Sequence, residues 1–365
     1  MSLALNGTNG VTYNDGTLQS SAPVGRNLII NGNMRIAQRG TSVTGITSGG
    51  HYTTDRFQMY NQNSATYTLE QSTDSPANFT NSTKVTVTTA GSSATASWTS
   101  FLQTKLEGQD IALLNAGTSD ARTATLSFWV KSSLTGDMPI QLKNNADRQY
   151  LTSYTISTAN TWEHKTITVT FPTDGTWTTD NSRGLQLTWG LGAGSTYTNG
   201  TVDSWQSGLA YYFVTGNTAV GETSGATWQI TGIQLEVGTT ATDFEHLPYG
   251  QQLALCQRYC YVQRNTGSQY VRLPIGYNLT TTASLVIIPY PVTMRAEASF
   301  SWIGSFQSTA GGGATGTVAA IISDAGTLNF GSLSFTFSSG TVTVLSLSAV
   351  RTTSTDWQTT FTAEL

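Results

Sequence analysis

Apolar and polar residues alternate along most of this chain, and they do so in short runs. Thr166 to Phe171 places Ile167, Val169 and Phe171 on one side and Thr166, Thr168 and Thr170 on the other. Thr123 to Val130 puts Ala124, Leu126, Phe128 and Val130 on one face, and Leu185, Leu187, Trp189 and Leu191 share another. Ala65 to Leu69 and Lys84 to Thr88 repeat the pattern. A period of two is the signature of a strand with one buried face. Trp228 and Ile230 alternate, Gly232 intervenes, and Ile233, Leu235 and Val237 continue at the opposite parity. A glycine where the parity flips predicts a β-bulge. Many short strands with turn residues between them, and no helical period, predict a two-sheet sandwich over 26–247. A jelly roll is its favoured form.

One segment breaks the pattern. Leu253, Leu255, Cys256, Tyr259 and Cys260 fit helical spacing, with Pro248 and Gly250 ahead of them, which predicts a buried connecting helix over 248–262. Strands resume over 263–365 as a smaller β domain, including Ser284 to Val292, Val318 to Ile322, Ser332 to Phe337 and Thr341 to Leu347, with a glycine loop at 311–313. As a free edge, Ser284 to Ile288 would be an aggregation hazard, which oligomerisation would relieve. Residues 1–25 cannot form a core. They read as an arm that anchors the chain or orders on copies of itself, with a short hairpin about Asn14-Asp15-Gly16. The expected fold is all-β: arm, jelly-roll sandwich, short helix, C-terminal β domain.

Composition agrees. Charged residues make up 10% of the 365 positions, against a typical ~25%, with Thr, Ser, Asn and Gly in their place. Nine Trp, fifteen Tyr and thirteen Phe exclude a disordered chain. A net charge of -4 argues against nucleic acid, and no polybasic run suits an anionic membrane. The start lacks the basic and apolar regions of a signal peptide, and Leu285 to Ile288 is far shorter than the ~18 residues of a membrane span. Two cysteines make no disulfide framework, which fits synthesis in a reducing cytoplasm.

Three stretches carry a resemblance. They are NLIINGNMRIAQRG from Asn27 with YTTDRF from Tyr52; Gly232 to Tyr261, with its QLEVG, TDFEH, YG and LALCQRY pieces; and Val292 to Ala296 with the end Ala363-Glu364-Leu365. The chain resembles the structural fibre proteins of tailed bacteriophages, especially cyanobacterial and marine phages. It departs at Cys260, where an aromatic would be expected. The resemblance implies a homotrimeric virion protein whose jelly roll is similar to a carbohydrate-binding module. It also implies an arm that joins other tail or baseplate proteins, and attachment to host cell-surface polysaccharide.

Sugar binding needs an aromatic face for the apolar side of a pyranose and polar groups for its hydroxyls. Trp177 and Trp205 lie in polar, loop-like segments, Tyr197 lies in a Gly/Ser/Thr/Asn loop, and Trp129 sits on the polar face of its strand. These four are the candidate carbohydrate-binding residues; packing against the sheet rim is the alternative for Trp177 and Trp205, and a place under a loop is the alternative for Trp129. Trp189 and Trp228 share strand faces with aliphatics and are assigned to the core. Trp302, alternating with Phe300, is assigned to the core of the last domain or to a subunit interface. No catalytic residue is assigned. A glycosidase needs two carboxylates flanking the bond, and the best pair, Asp174 and Asp180, reads as two turn residues. Their other use would be oxygen ligation of a structural Ca²⁺; no other cofactor is expected. Cys256 and Cys260, with only His246 near in sequence, read as buried free thiols. The expected function is a non-enzymatic tail fibre that binds host glycan. A purely structural virion component is the alternative, and a depolymerase comes last.

Overall fold

The computed structural model describes residues 4–6, 10–12, 18–19, 25–62, 64–146, 148–208, 210–264, 273, 276–310, 315–339, 347–352 and 356–365. The chain divides into two compact units, Met1–Pro248 and Tyr249–Glu364, with Leu365 grouped with the first.

The first unit is the jelly-roll sandwich. Strands are numbered in chain order; β15 (Thr198–Asn199) and β17 (Phe213–Val214) form a separate two-stranded parallel pair. Sheet I has the order β13 (Glu163–Thr170), β10 (Thr123–Ser132), β18 (Thr227–Val237), β8 (Ser82–Thr89), β7 (Thr66–Ser72), β4 (Ser42–Ile46). Sheet II runs β16 (Trp205–Gln206), β12 (Gln149–Ile156), β11 (Gly136–Lys143), β14 (Arg183–Ala193), β9 (Thr99–Glu107), β6 (Gln58–Gln62), β5 (Gly49–Tyr52). Neighbouring strands are antiparallel in both sheets. A four-residue helix, α1 (Gly108–Ile111), follows β9. The expected alternation in β10 and β14 is what fills the core: Leu126, Phe128, Leu187 and Trp189 are all buried. Trp228 is buried too, and its Nε1 donates to Tyr154 Oη at 3.0 Å. Ahead of the sandwich, β1 (Ala4–Asn6), β2 (Gly10–Thr12) and β3 (Leu18–Gln19) form a small antiparallel sheet. Thr12 pairs with Leu18, as a hairpin requires; its expected turn, Asn14-Asp15-Gly16, lies outside the described residues.

The bulge lies where the parity flip placed it. The pairing of β10 with β18 shifts register between Ser127 and Trp129, and Gly232 has φ +62°. That left-handed backbone costs an L-residue roughly 1–2 kcal/mol. A Cβ there would also meet Phe79 Cζ at 2.7 Å and Trp129 Cδ1 at 3.0 Å. Gly232→Ala should therefore destabilise the sandwich by about 1–3 kcal/mol, read as a lower urea midpoint. An unchanged midpoint would contradict the bulge.

Two of the stretches that carry the resemblance fold into one hydrogen-bonded knot. Asn27 Oδ1 accepts from Ile29 N and Leu235 N, and Asn27 Nδ2 donates to Ile233 O. Glu245 accepts from Gly25 N and Asn27 N through its two carboxylate oxygens. Asn31, at φ +60°, is fully buried; its Nδ2 donates to Ile36 O and Asp55 O, and its Oδ1 accepts from Ile36 N. Asp55 in turn accepts from Gln38 N and Nε2. Amide and carboxylate side chains replace the backbone ladder where the chain is irregular, as buried backbone groups demand.

The second unit opens with α2 (Tyr249–Gln257). This helix is shorter than the expected 248–262. Cys260–Arg264 is instead β19, which pairs with β27 (Gln358–Thr362), itself flanked by β22 (Ser299–Ile303). Tyr261 and Val262 carry strand-favouring side chains, and the ladder to β27 outweighs the helical spacing. Both cysteines are buried and form no disulfide, and they do not share a helix face. The remaining strands close a barrel in the order β20 (Gly276–Thr280), β21 (Ala283–Pro289), β25 (Phe330–Ser339), β24 (Thr315–Gly326), β23 (Phe306–Ala310), β26 (Leu347–Thr352). Ser284 to Ile288, expected as a hazardous edge, lies within β21; all five residues pair with β25, and Ser284 to Val286 pair with β20 as well. Barrel closure removes the edge without a partner chain. The glycine loop at 311–313 and most of the strand expected over Thr341 to Leu347 lie outside the described residues.

Candidate functional site

Sheet II turns Met59, Leu102, Leu187 and Trp189 to the core, so the intervening residues face outward. Register then sets the outer face. Gln58 lies opposite Gln103, Tyr60 opposite Phe101, Gln103 opposite Thr188, and Lys105 opposite Gln186. Residues 194–208 and 210–217 cross part of this face. Gln141 Nε2 donates to Tyr211 O at 2.6 Å, and Tyr211 N donates to Gln149 Oε1 at 2.9 Å. Gly190 makes the close approach feasible, because a Cβ there would collide with Tyr212 O. The part of the face left uncovered is a groove of ≈ 410 Å³ over β5, β6, β9 and β14, with Tyr197 and Tyr212 as its wall.

Four rings run through this groove. Tyr60 and Phe101 stack at 5.1 Å, Phe101 and Tyr212 at 4.5 Å, and Tyr212 meets Tyr197 at 5.8 Å. Amides flank them in fixed poses. Gln103 Nε2 donates to Gln58 Oε1 at 2.5 Å, Arg183 Nη1 to Gln186 Oε1 at 2.8 Å, and Gln186 Nε2 to Thr188 Oγ1 at 3.0 Å. Gln103 and Gln186 are almost fully buried yet line the groove. Thr99 Oγ1 and Arg183 Nε, also on lining residues, are buried with no protein hydrogen-bond partner. Burial, and then the neighbouring Tyr197, push the Tyr212 phenol above its ordinary pKa, so it stays a hydrogen-bond donor. Burial also holds the Arg183 guanidinium below its usual value. The groove thus offers ring faces together with amide and hydroxyl donors and acceptors and two cationic donors, Lys105 and Arg183, a combination that suits a polyhydroxylated ring.

The four sequence candidates fall in three places. Tyr197 is in the groove. Trp177 and Trp205 pack edge to face at 5.7 Å, and both meet Phe171 at 5.6 and 5.5 Å. Their indole N–H groups donate to Asp174 O and Thr170 O, and both rings are half-buried against the core. Trp129 is on the outer face of sheet I, beside His164. Asp174 pairs with Arg148, and Asp180 accepts from Ser182 N and Oγ. Among the described residues no group of three or more His, Cys, Asp or Glu comes together to hold a metal ion. No described helix is long and apolar enough to cross a membrane. Sequence reasoning missed Tyr60, Phe101, Gln103, Gln186 and Tyr212. The signal was an aromatic on the polar parity of a strand: Gln58-Met59-Tyr60-Asn61-Gln62, and Phe101-Leu102-Gln103.

No protein-family model and no curated protein matches the chain. Solved structures do. The tailspike protein 4 enzymatically active domain of bacteriophage CBA120 is 12% identical with a TM-score of 0.32; the match covers 58% of this chain and 22% of that one. The CBM22-1 xylan-binding domain of Xyn10C from Paenibacillus barcinonensis is 10% identical, with a TM-score of 0.28, over 60% of this chain and 100% of that one. A family 11 carbohydrate-binding module from Clostridium thermocellum, in complex with a β-1,3-1,4-mixed-linked tetrasaccharide, is 11% identical, with a TM-score of 0.27, over 57% and 99%.

Proposed function

We propose that this chain is a tail-fibre protein of a tailed phage that attaches to its host by holding a cell-surface glycan along the outer face of sheet II, without cleaving it. The observation that carries the reading is the stacked run Tyr60–Phe101–Tyr212 bordered by Gln58, Gln103 and Gln186. Stacked rings take the C–H face of a pyranose, and locked amides take its hydroxyls at little entropic cost. Binding rather than hydrolysis is favoured because none of the groove's described lining residues is Asp or Glu, whereas glycosidases use two carboxylates. The sequence resemblance to fibre proteins supplies the virion setting.

The same reading makes the protein a homotrimer, with the arm joining other tail or baseplate proteins. The second unit supports self-association. Tyr277, Ile287, Trp302, Ile303 and Ile322 are exposed on it, Ile303 by 58% and Ile322 by 55%. Where such residues form one contiguous patch, they mark an association site. Labelled protein added to host cells tests the attachment reading. Cells should stain, and stripping their surface polysaccharide should abolish the stain. Absence of staining on intact cells would leave a purely structural virion component. Solution mass should be three times the 38.9 kDa chain, and a stable monomer would contradict the trimer.

A further inference from the structure

A second depression of ≈ 940 Å³ lies on the outer face of sheet I, across the sandwich from the groove. The Gly232 bulge makes room for it: with no side chain at that position, the rings of Phe79 and Trp129 come in close. His164, paired with Trp129 across β10 and β13, sets its imidazole 5.1 Å from the indole. The far wall is the TDFEH stretch. It is pinned at three places: Thr242 N and Oγ1 donate to Glu236, Glu245 N donates to Gln234 Oε1, and the Glu245 carboxylate accepts from Gly25 N and Asn27 N. Pinned in this way, it presents Phe244 and His246 to Phe79, at 5.1 and 5.4 Å. The knot between two distant stretches therefore shapes a wall, and it shapes it from aromatic and polar side chains.

We infer that this depression is a second saccharide-binding site, independent of the groove on sheet II. The lining chemistry selects the ligand class. Trp129, Phe79 and Phe244 supply apolar ring faces. His164, His246, Asn78, Thr242 and Asp243 supply donors and acceptors of mixed kind, suited to hydroxyls that both give and receive hydrogen bonds. Burial holds both imidazoles below their ordinary pKa, so near neutral pH each offers one donor and one acceptor. An anion would meet the Asp243 carboxylate. A cation would be opposed by the charge of Arg35, which lies outside the lining but reaches His246 and adds to the lowering of its pKa. An uncharged, hydroxyl-rich ring meets neither penalty. Sites on opposite faces would let one chain hold two glycan strands, and linked sites raise avidity without new contacts.

The histidines give the test its readout, because the chain has only three and His164 and His246 both line the depression. The full-length protein is titrated near neutral pH with glucose, galactose, mannose, N-acetylglucosamine, lactose and cellobiose, each to millimolar concentration. Tetramethylammonium chloride and sodium sulfate serve as charged probes. Proton NMR follows the imidazole C–H signals, assigned with His164→Gln and His246→Gln. At least one sugar should shift both His164 and His246 saturably. Trp129→Ala should weaken that binding about 10-fold or more, and Phe244→Ala should repeat the loss if Trp129→Ala folds poorly. Tyr212→Ala, which damages the groove, should leave the response intact. The inference is overturned if no sugar moves these two signals, if only a charged probe does, or if Tyr212→Ala abolishes the shifts.

Discussion

Asn31→Ala should lower the thermal midpoint of the sandwich by about 10 °C, one of the largest effects expected of any single change. Asn31 is fully buried and its side chain serves three backbone groups: Ile36 N, Ile36 O and Asp55 O. Alanine takes that partner from all three; Ile36 O keeps its bond from Asp55 N, so the loss falls on Ile36 N and Asp55 O, at about 1–3 kcal/mol for each buried group left unsatisfied. Asn31 also holds φ +60°, a conformation asparagine tolerates better than alanine. Together these give about 4 kcal/mol, and a domain of this size loses about 2–4 °C per kcal/mol. Asn31→Gly separates the two causes. It relieves the backbone but not the lost hydrogen bonds, so it should recover only the smaller share. A midpoint unchanged in Asn31→Ala would mean that the NLIINGNMR stretch is not the support described for it.

The second large effect concerns binding. Tyr212→Ala removes the ring that stands between Phe101 and Tyr197, and with it most of the wall of the groove. Truncating a central aromatic anchor typically costs 2 kcal/mol or more, so affinity for glycan should fall about 30-fold or more. Tyr212→Phe keeps the stack and removes one hydroxyl, so its loss should be several-fold at most. Neither change should disturb folding. Tyr212 sits in a covering segment held by backbone bonds, including Tyr212 N to Tyr197 O at 3.0 Å. Equal losses in the two variants would point to the hydroxyl rather than the ring face.

Much of the sandwich can be read directly from local pattern. The alternation Leu185, Leu187, Trp189, Leu191 states both a strand and its buried face, and the parity flip at Gly232 states a bulge. These features depend on neighbours a few residues apart. The groove does not. Tyr60 and Phe101 are forty-one positions apart and meet only because β6 and β9 pair in one register. Alternation in β9 is masked as well, because the outward Phe101 and Gln103 are nearly as buried as the inward Leu102. Tyr212 joins them only because Gly190 lets the backbone at Tyr212 come down onto the sheet. Trp177 and Trp205 sit in polar surroundings in the sequence, and their mutual contact through Phe171 is tertiary. The overlong helix has the same origin: helical spacing through Cys260 is a local signal, and the ladder to Gln358–Thr362 is not.

The central claim is that the outer face of sheet II holds a glycan chain and leaves it uncut. The most direct measurement is the equilibrium affinity of purified protein for isolated host surface polysaccharide, wild type beside Tyr212→Ala, with reducing ends assayed in the same samples. The predicted result is saturable wild-type binding, weakened about 30-fold or more in Tyr212→Ala, with no rise in reducing ends. Equal affinity in the two proteins, or release of reducing ends by the wild type, would contradict it.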